Sequence, residues 1–167
     1  MASQWHPTAA QRAWLDELRE QRATARRKGE EEAQRLVEVG AKAPSGPEHA
    51  WLRGLVSGLR GQLAEERLVR VLNEMPGRPP WLVEARRAPE DMDALGVDLI
   101  VVTDRGEVPL QVKSCQAGVE TWRRGYRELV DLVGVVVAPI EMPDAEAFAA
   151  GMAELERMRE VALAPVD

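Results

Sequence analysis

The chain has 167 residues, 45% hydrophobic and 30% charged, with a formal net charge of −6 and an isoelectric point near 5.1. That is room for one ordinary domain plus an appendage, of soluble globular composition, and the acidic balance excludes a strongly basic nucleic-acid coat. No apolar run approaches the roughly 20 residues of a membrane span, and a lone cysteine, Cys115, excludes an intrachain disulfide and a Cys-rich zinc site.

The opening Met1-Ala2-Ser3-Gln4-Trp5-His6-Pro7 lacks the basic start and apolar core of a signal peptide, so a cytoplasmic protein is expected. Residues 8 to 39 read as helix, with Thr8 as a plausible N-cap. Trp14, Leu15 and Leu18 form one apolar patch, and Leu36, Val37 and Val39 another. The block Arg22-Ala23-Thr24-Ala25-Arg26-Arg27-Lys28 precedes Gly29 and Glu30-Glu31-Glu32; Gly29 is a candidate break between two helices. A basic block followed by an acidic one reads as a solvated helix face with i,i+4 pairs. The functional alternative is a dimerising or partner-binding arm over residues 8 to 39. Ala43-Pro44-Ser45-Gly46-Pro47 is the clearest linker. It divides an N-terminal helical arm (1–45) from a second domain (46–167).

Residues 50 to 74 then read as a helix, with Leu52, Leu55, Leu59, Leu63, Val69 and Leu72 on its apolar face. Trp81 to Ala85 is a short strand, Pro89 to Leu95 an acidic loop, and Val97 to Thr103 a buried strand. Asp104-Arg105-Gly106 is a turn and Val108 to Ser114 the next strand. Residues 119 to 131 read as helix. Val133 to Ala138 is an apolar strand, expected at a central position covered on both faces. Asp144 to Val161 closes the chain as a helix, with Asp144 near its N-cap. The order is helix, three strands, helix, strand, helix: an α/β protein with a mixed sheet.

Chemistry concentrates around Lys113. It is the only lysine after Lys42 in a chain with 19 arginines. An ammonium is a compact point charge, whereas a guanidinium is a rigid fork that is always charged. A two-residue turn at Arg105-Gly106 sets Asp98 opposite Lys113; a turn one residue earlier sets it opposite Gln111. Either register brings Asp98 to Gln111-Val112-Lys113, whose residues 111 and 113 share a strand face. Burying such groups without partners is costly, so they point to a ligand or a task. A further carboxylate is expected from the preceding helix, with Glu65 favoured over Glu66.

Asp98 followed by Gln111-Val112-Lys113, in this element order, resembles the PD-(D/E)XK nuclease superfamily and its restriction-endonuclease-like fold. Gly61-x-x-x-Glu65 is similar to the first helix of its Holliday-junction-resolvase-like branch, and Q-x-K variants are similar to Mrr-type restriction enzymes. The resemblance covers residues 50 to 140. It implies an αβββαβ core behind the helical arm and Mg²⁺-dependent hydrolysis of DNA phosphodiesters, with Mn²⁺ able to substitute. It implies catalytic roles for Glu65, Asp98, Gln111 and Lys113. Asp98, Glu65, the Gln111 amide oxygen and the Val112 carbonyl would be metal ligands, and Lys113 would orient or deprotonate the attacking water. Gln111 stands where the family carries Glu or Asp, which removes a negative charge and lowers the metal affinity to be expected; Val97 precedes Asp98 where the family name implies Pro. Arg123, Arg124 and Arg127 are candidates for phosphate contacts, or else a solvated face. DNA is the expected partner and a homodimer the expected assembly. A Holliday-junction resolvase and a non-catalytic scaffold of the same fold are the alternatives. Trp81 and Trp122 read as packing residues, His6 and His49 give no metal pair, and no Gly-rich phosphate loop is present.

Overall fold

The computed structural model describes residues 9–93 and 95–161. Thr8 and His6 lie outside the described residues, as do the side chains of Trp14, Leu15 and Leu18. The chain forms two compact units, Met1–Leu59 and Arg60–Asp167. The division falls within a helix rather than in the Pro-Gly linker. Arg53 explains why the linker goes with the first unit: its guanidinium donates to the carbonyls of Pro44 (3.2 Å) and Gly46 (2.5 Å).

In the first unit, α1 spans Ala9–Glu38 without a break at Gly29. Gly29 is there for close approach: a Cβ at that position would lie 2.0 Å from the Trp51 ring. The basic and acidic blocks pair along the helix, Arg26 with Glu30 at 2.8 Å and Arg35 with Glu32 at 2.7 Å. Such exposed pairs contribute little to stability, because water and salt screen them. Gly40 ends the helix at a φ of 66°. Its N–H donates to the Val37 carbonyl (3.0 Å) and that of Ala41 to the Leu36 carbonyl (2.8 Å), a pattern that needs the left-handed conformation glycine adopts without strain.

The second helix, α2 (Ala50–Glu74), runs from the first unit into the second. In the second unit follow β1 (Leu82–Arg87), the one-turn α3 (Glu90–Asp93), β2 (Leu99–Thr103), β3 (Gly106–Lys113), α4 (Gln116–Gly125), β4 (Gly134–Val137) and α5 (Asp144–Val161). The strands form one mixed sheet in the order β1-β2-β3-β4, antiparallel except for the parallel β3–β4 pair. One face packs on α2 and α5 through Leu68, Leu72, Leu99, Leu110 and Leu155. The other face carries a smaller cluster of Val97, Ile100, Trp122 and Val133. Along α2 the buried residues are Leu52, Val56, Ala64, Leu68, Val71 and Leu72. Leu63, expected on that face, is exposed. Among the described residues no helix is long and apolar enough to cross a membrane.

β4 lies at an edge of the sheet, not at its centre. Its apolar sequence reflects helices on both faces, α4 and α5, rather than strands on both sides. The outward N–H of Val135 donates to Glu154 at 2.8 Å. The opposite edge is closed the same way. Ala85 of β1 exchanges two hydrogen bonds with the Asn73 side chain, 2.7 and 2.8 Å. Arg78 donates to the carbonyls of Leu82 and Val83. Capped edges do not recruit further strands.

Asn73→Ala leaves the Ala85 N–H and C=O without those partners. It should lower unfolding free energy by about 1–3 kcal/mol, measured by urea denaturation; an unchanged midpoint and slope would show that water replaces the amide at no cost.

Candidate active site

The hairpin decides the register. Thr103 pairs with Gly106 and Leu99 with Leu110, so the turn is Asp104-Arg105 and Asp98 falls opposite Gln111. Thr103 sets this turn. Its hydroxyl donates to the Gly106 carbonyl (2.9 Å) and accepts the Arg105 N–H (3.2 Å), while Gly106 takes a φ of 122°. The register that placed Asp98 opposite Lys113 is not the one formed.

Asp98 is held on both sides by main chain. Its N–H donates to the Leu110 carbonyl and its carbonyl accepts from Ala88, both at 2.9 Å. Its Oδ2 accepts the Val112 N–H at 2.7 Å and a hydrogen bond from Gln111 Nε2. Burial pushes the Asp98 carboxyl above the usual carboxylate range; the Val112 N–H and the Lys113 charge oppose this, Asp93 adds to it, and Arg87 opposes it. Gln111 is 2% exposed, so its amide has no recourse to water.

Glu65 enters from α2. Its side chain is 16% exposed against 58% for Glu66, and its Oε2 accepts from Arg87 at 2.8 Å. Its carboxyl is also pushed up, first by burial and then by the Asp98 charge, against the pull of Arg87. Of the two adjacent glutamates, Glu65 is therefore the one coupled to Asp98. Arg87 and Asp93 complete the local charge set and were not anticipated. Arg87 closes β1 and pairs with Leu99, which puts it beside Asp98; the dipeptide Arg86-Arg87 carries no sign of that.

Lys113 is half-buried. Its stem lies against Gly118, where a Cβ would sit 3.4 Å from Lys113 Cδ. It opens onto a groove along α4 lined by Ala117, Gly118, Thr121, Trp122, Gly125 and Tyr126. Trp122 is a packing residue: it is buried, donates its N–H to the Gly96 carbonyl (3.1 Å) and stacks on Tyr126 with centroids 5.7 Å apart. Trp81 likewise packs, beneath the Arg159 guanidinium at 4.0 Å. Arg123 and Arg124 end α4, exposed. Arg127 does not share that helix, because α4 stops at Gly125 and Arg127 starts a separate 3₁₀ turn through Leu129. Arg124 and Arg127 border one depression together with Leu95 and Tyr126.

Among the described residues no three Asp, Glu, His or Cys side chains gather as a metal centre. The available donors are the Asp98 and Glu65 carboxylates and the Val112 carbonyl, hard oxygens of the kind Mg²⁺ takes while keeping several waters. Two carboxylates raised by burial gain from a nearby cation, so the donor set fits such an ion. No family model, no curated protein and no solved structure matches the chain.

The raised carboxyls fix a sign for stability against pH. A group whose folded pKa exceeds its unfolded value stabilises fully below the unfolded pKa, and the benefit is lost as pH rises through the folded one. Glu65→Gln removes that loss. In chelator at pH 7.5 it should raise Tm by about 1–3 °C, with the difference closing as pH falls through the acidic range. A lower Tm at pH 7.5 would mean that the Arg87 pair outweighs burial.

Proposed function

We propose that the chain is a Mg²⁺-dependent DNA endonuclease with the restriction-endonuclease-like fold of the PD-(D/E)XK superfamily, acting as a homodimer. The observation that carries this reading is the meeting of Asp98, Gln111, Lys113 and half-buried Glu65 around the start of β2 and the end of β3, with both carboxyls pushed upward. Buried titratable groups gathered at one end of a sheet are candidates for a functional site. The αβββαβ order, with a parallel fourth strand, supports the same reading.

Asp98, Glu65 and the Val112 carbonyl would hold Mg²⁺, and Gln111 would offer its amide oxygen only after the amide turns over. A bound Mg²⁺ supplies positive charge that offsets the negative charge developing on the phosphate. Lys113 orients the attacking water and stabilises the phosphoryl oxygens. A bond from the water oxygen to phosphorus forms as one phosphodiester P–O bond breaks. The small side chains of the α4 groove let a strand approach Lys113, and Arg123, Arg124 and Arg127 meet its flanking phosphates. The net charge of −6 favours linear duplex over a four-way junction, which needs a broad basic face. A non-catalytic scaffold is the second reading, favoured by the Gln111 amide facing Asp98.

The test is cleavage of supercoiled plasmid, linear duplex and a four-way junction with Mg²⁺ or Mn²⁺. Lys113→Ala and Asp98→Ala should each reduce the rate on the order of 10²–10⁴-fold, the circular-dichroism spectrum of Lys113→Ala staying unchanged and Asp98→Asn, which keeps an acceptor for the Val112 N–H, reproducing the loss in a folded chain. Activity retained in both variants would end the assignment. Preference for the junction would select the resolvase, and no cleavage of any substrate, with no bound Mn²⁺, would select the scaffold.

A further inference from the structure

Gln111 presents the wrong end of its amide for a metal ligand. Nε2, not the oxygen, faces Asp98 Oδ2, and it also lies 3.3 Å from the Val112 carbonyl oxygen. Both neighbours are acceptors, so chemistry fixes this orientation: the amide oxygen turned to the same place would meet two lone-pair groups. The NH₂ therefore bridges the side-chain oxygen of Asp98 and the main-chain oxygen of Val112. These are two of the oxygens that would hold a divalent cation in the reading above. An NH₂ and a cation cannot occupy one place.

We propose that the Gln111 amide is an internal latch, a positioning group that competes with the divalent cation for Asp98 Oδ2 and the Val112 carbonyl. Gln111 is 2% exposed, so water does not replace its donors and the latched state is well satisfied. Release needs only a turn about the terminal side-chain torsion, which is soft and roughly two-fold. A Glu in this position has no donor and would repel Asp98; it would leave the site in need of a cation at all times. With Gln, the strand ends stay joined without one, and the cation must first displace the amide. Apparent affinity then falls by the fraction of molecules with the latch open.

The proposal rests on the nuclease reading, and the experiment separates the two. Full-length protein is stripped with chelator and titrated with Mn²⁺ by calorimetry, wild type beside Gln111→Ala and Gln111→Glu. A latch predicts that Gln111→Ala binds on the order of 5- to 10-fold tighter than wild type; a Gln111 that only ligates predicts weaker binding. The second readout needs no variant. In ¹⁵N-labelled wild type the Gln111 side-chain NH₂ resonances should move on Mg²⁺ addition with the same midpoint as the calorimetric curve. Equal or weaker binding by Gln111→Ala, or Mg²⁺ binding that leaves those resonances in place, overturns the latch while the nuclease reading stands. Binding by Gln111→Ala but not by wild type supports the latch and removes metal-dependent cleavage from the natural chain. No binding by any of the three overturns both.

Discussion

The Asp98 carboxylate does the work of a main-chain acceptor. The antiparallel ladder between β2 and β3 has its last strand pair at Leu99 and Leu110. Beyond it, the Val112 N–H is taken by Asp98 Oδ2. The main chain of Asp98 meanwhile bonds β3 through Leu110 and the chain after β1 through Ala88. One residue thus joins three consecutive strand segments at the same end of the sheet. A carboxylate bonded to an N–H is a stronger acceptor than a neutral group, which offsets part of the cost of burying it. The positions of Gln111 and Lys113 relative to Asp98 follow directly, because they sit on the strand that this carboxylate holds.

The capped sheet edges bear on how partners reach the protein. Strand addition needs a row of free N–H and C=O groups. Here Asn73 takes both groups of Ala85 and Arg78 the Leu82 and Val83 carbonyls of β1, and Glu154 takes the Val135 N–H of β4. Arg67 adds a third tie, from α2 to Asp144 and to the carbonyls of Pro139 and Ile140 in the loop after β4. Recognition is left to side-chain surfaces, and the groove beside Lys113 on α4 is one that adjoins the charge cluster. A dimer formed by joining sheets edge to edge would have to break these caps first.

Much of this arrangement was legible in the sequence. The apolar run before Asp104 and the turn residues after it located β2 and β3, and the Asp98 to Gln111 spacing brought the two together under either register. The choice between registers was not legible, because it turns on the Thr103 hydroxyl seizing both ends of the turn, a local contact that hydrophobic pattern does not encode. The edge position of β4 was hidden for a similar reason: an apolar strand records what covers its faces, not what pairs with its sides. Gly29 looked like a helix break, but α1 absorbs it, since the need it answers is the Trp51 ring across from it. Glu65 was readable from its place beside the apolar stripe of α2. Arg87 was not, because its nearness to Asp98 is a product of β1–β2 pairing.

Lysine at 113, in a chain with 19 arginines and two other lysines, has an electrostatic rationale in the fold. The Lys113 stem runs against Gly118, so α4 bounds one side of its path. A guanidinium at the same point would be longer and planar, with donors spread in a fork. It would compete for both oxygens of Asp98 and draw that carboxylate away from the Val112 N–H on which the strand junction depends. An ammonium acts as a point charge. It lowers the cost of the buried Asp98 carboxylate while leaving the Val112 and Gln111 hydrogen bonds where they are. In the proposed hydrolysis the same property would suit it to a phosphate, where a single mobile charge follows the oxygens as they rearrange. Structural and chemical demands therefore select the same residue, and Lys113→Arg is the substitution in which the two would first come apart.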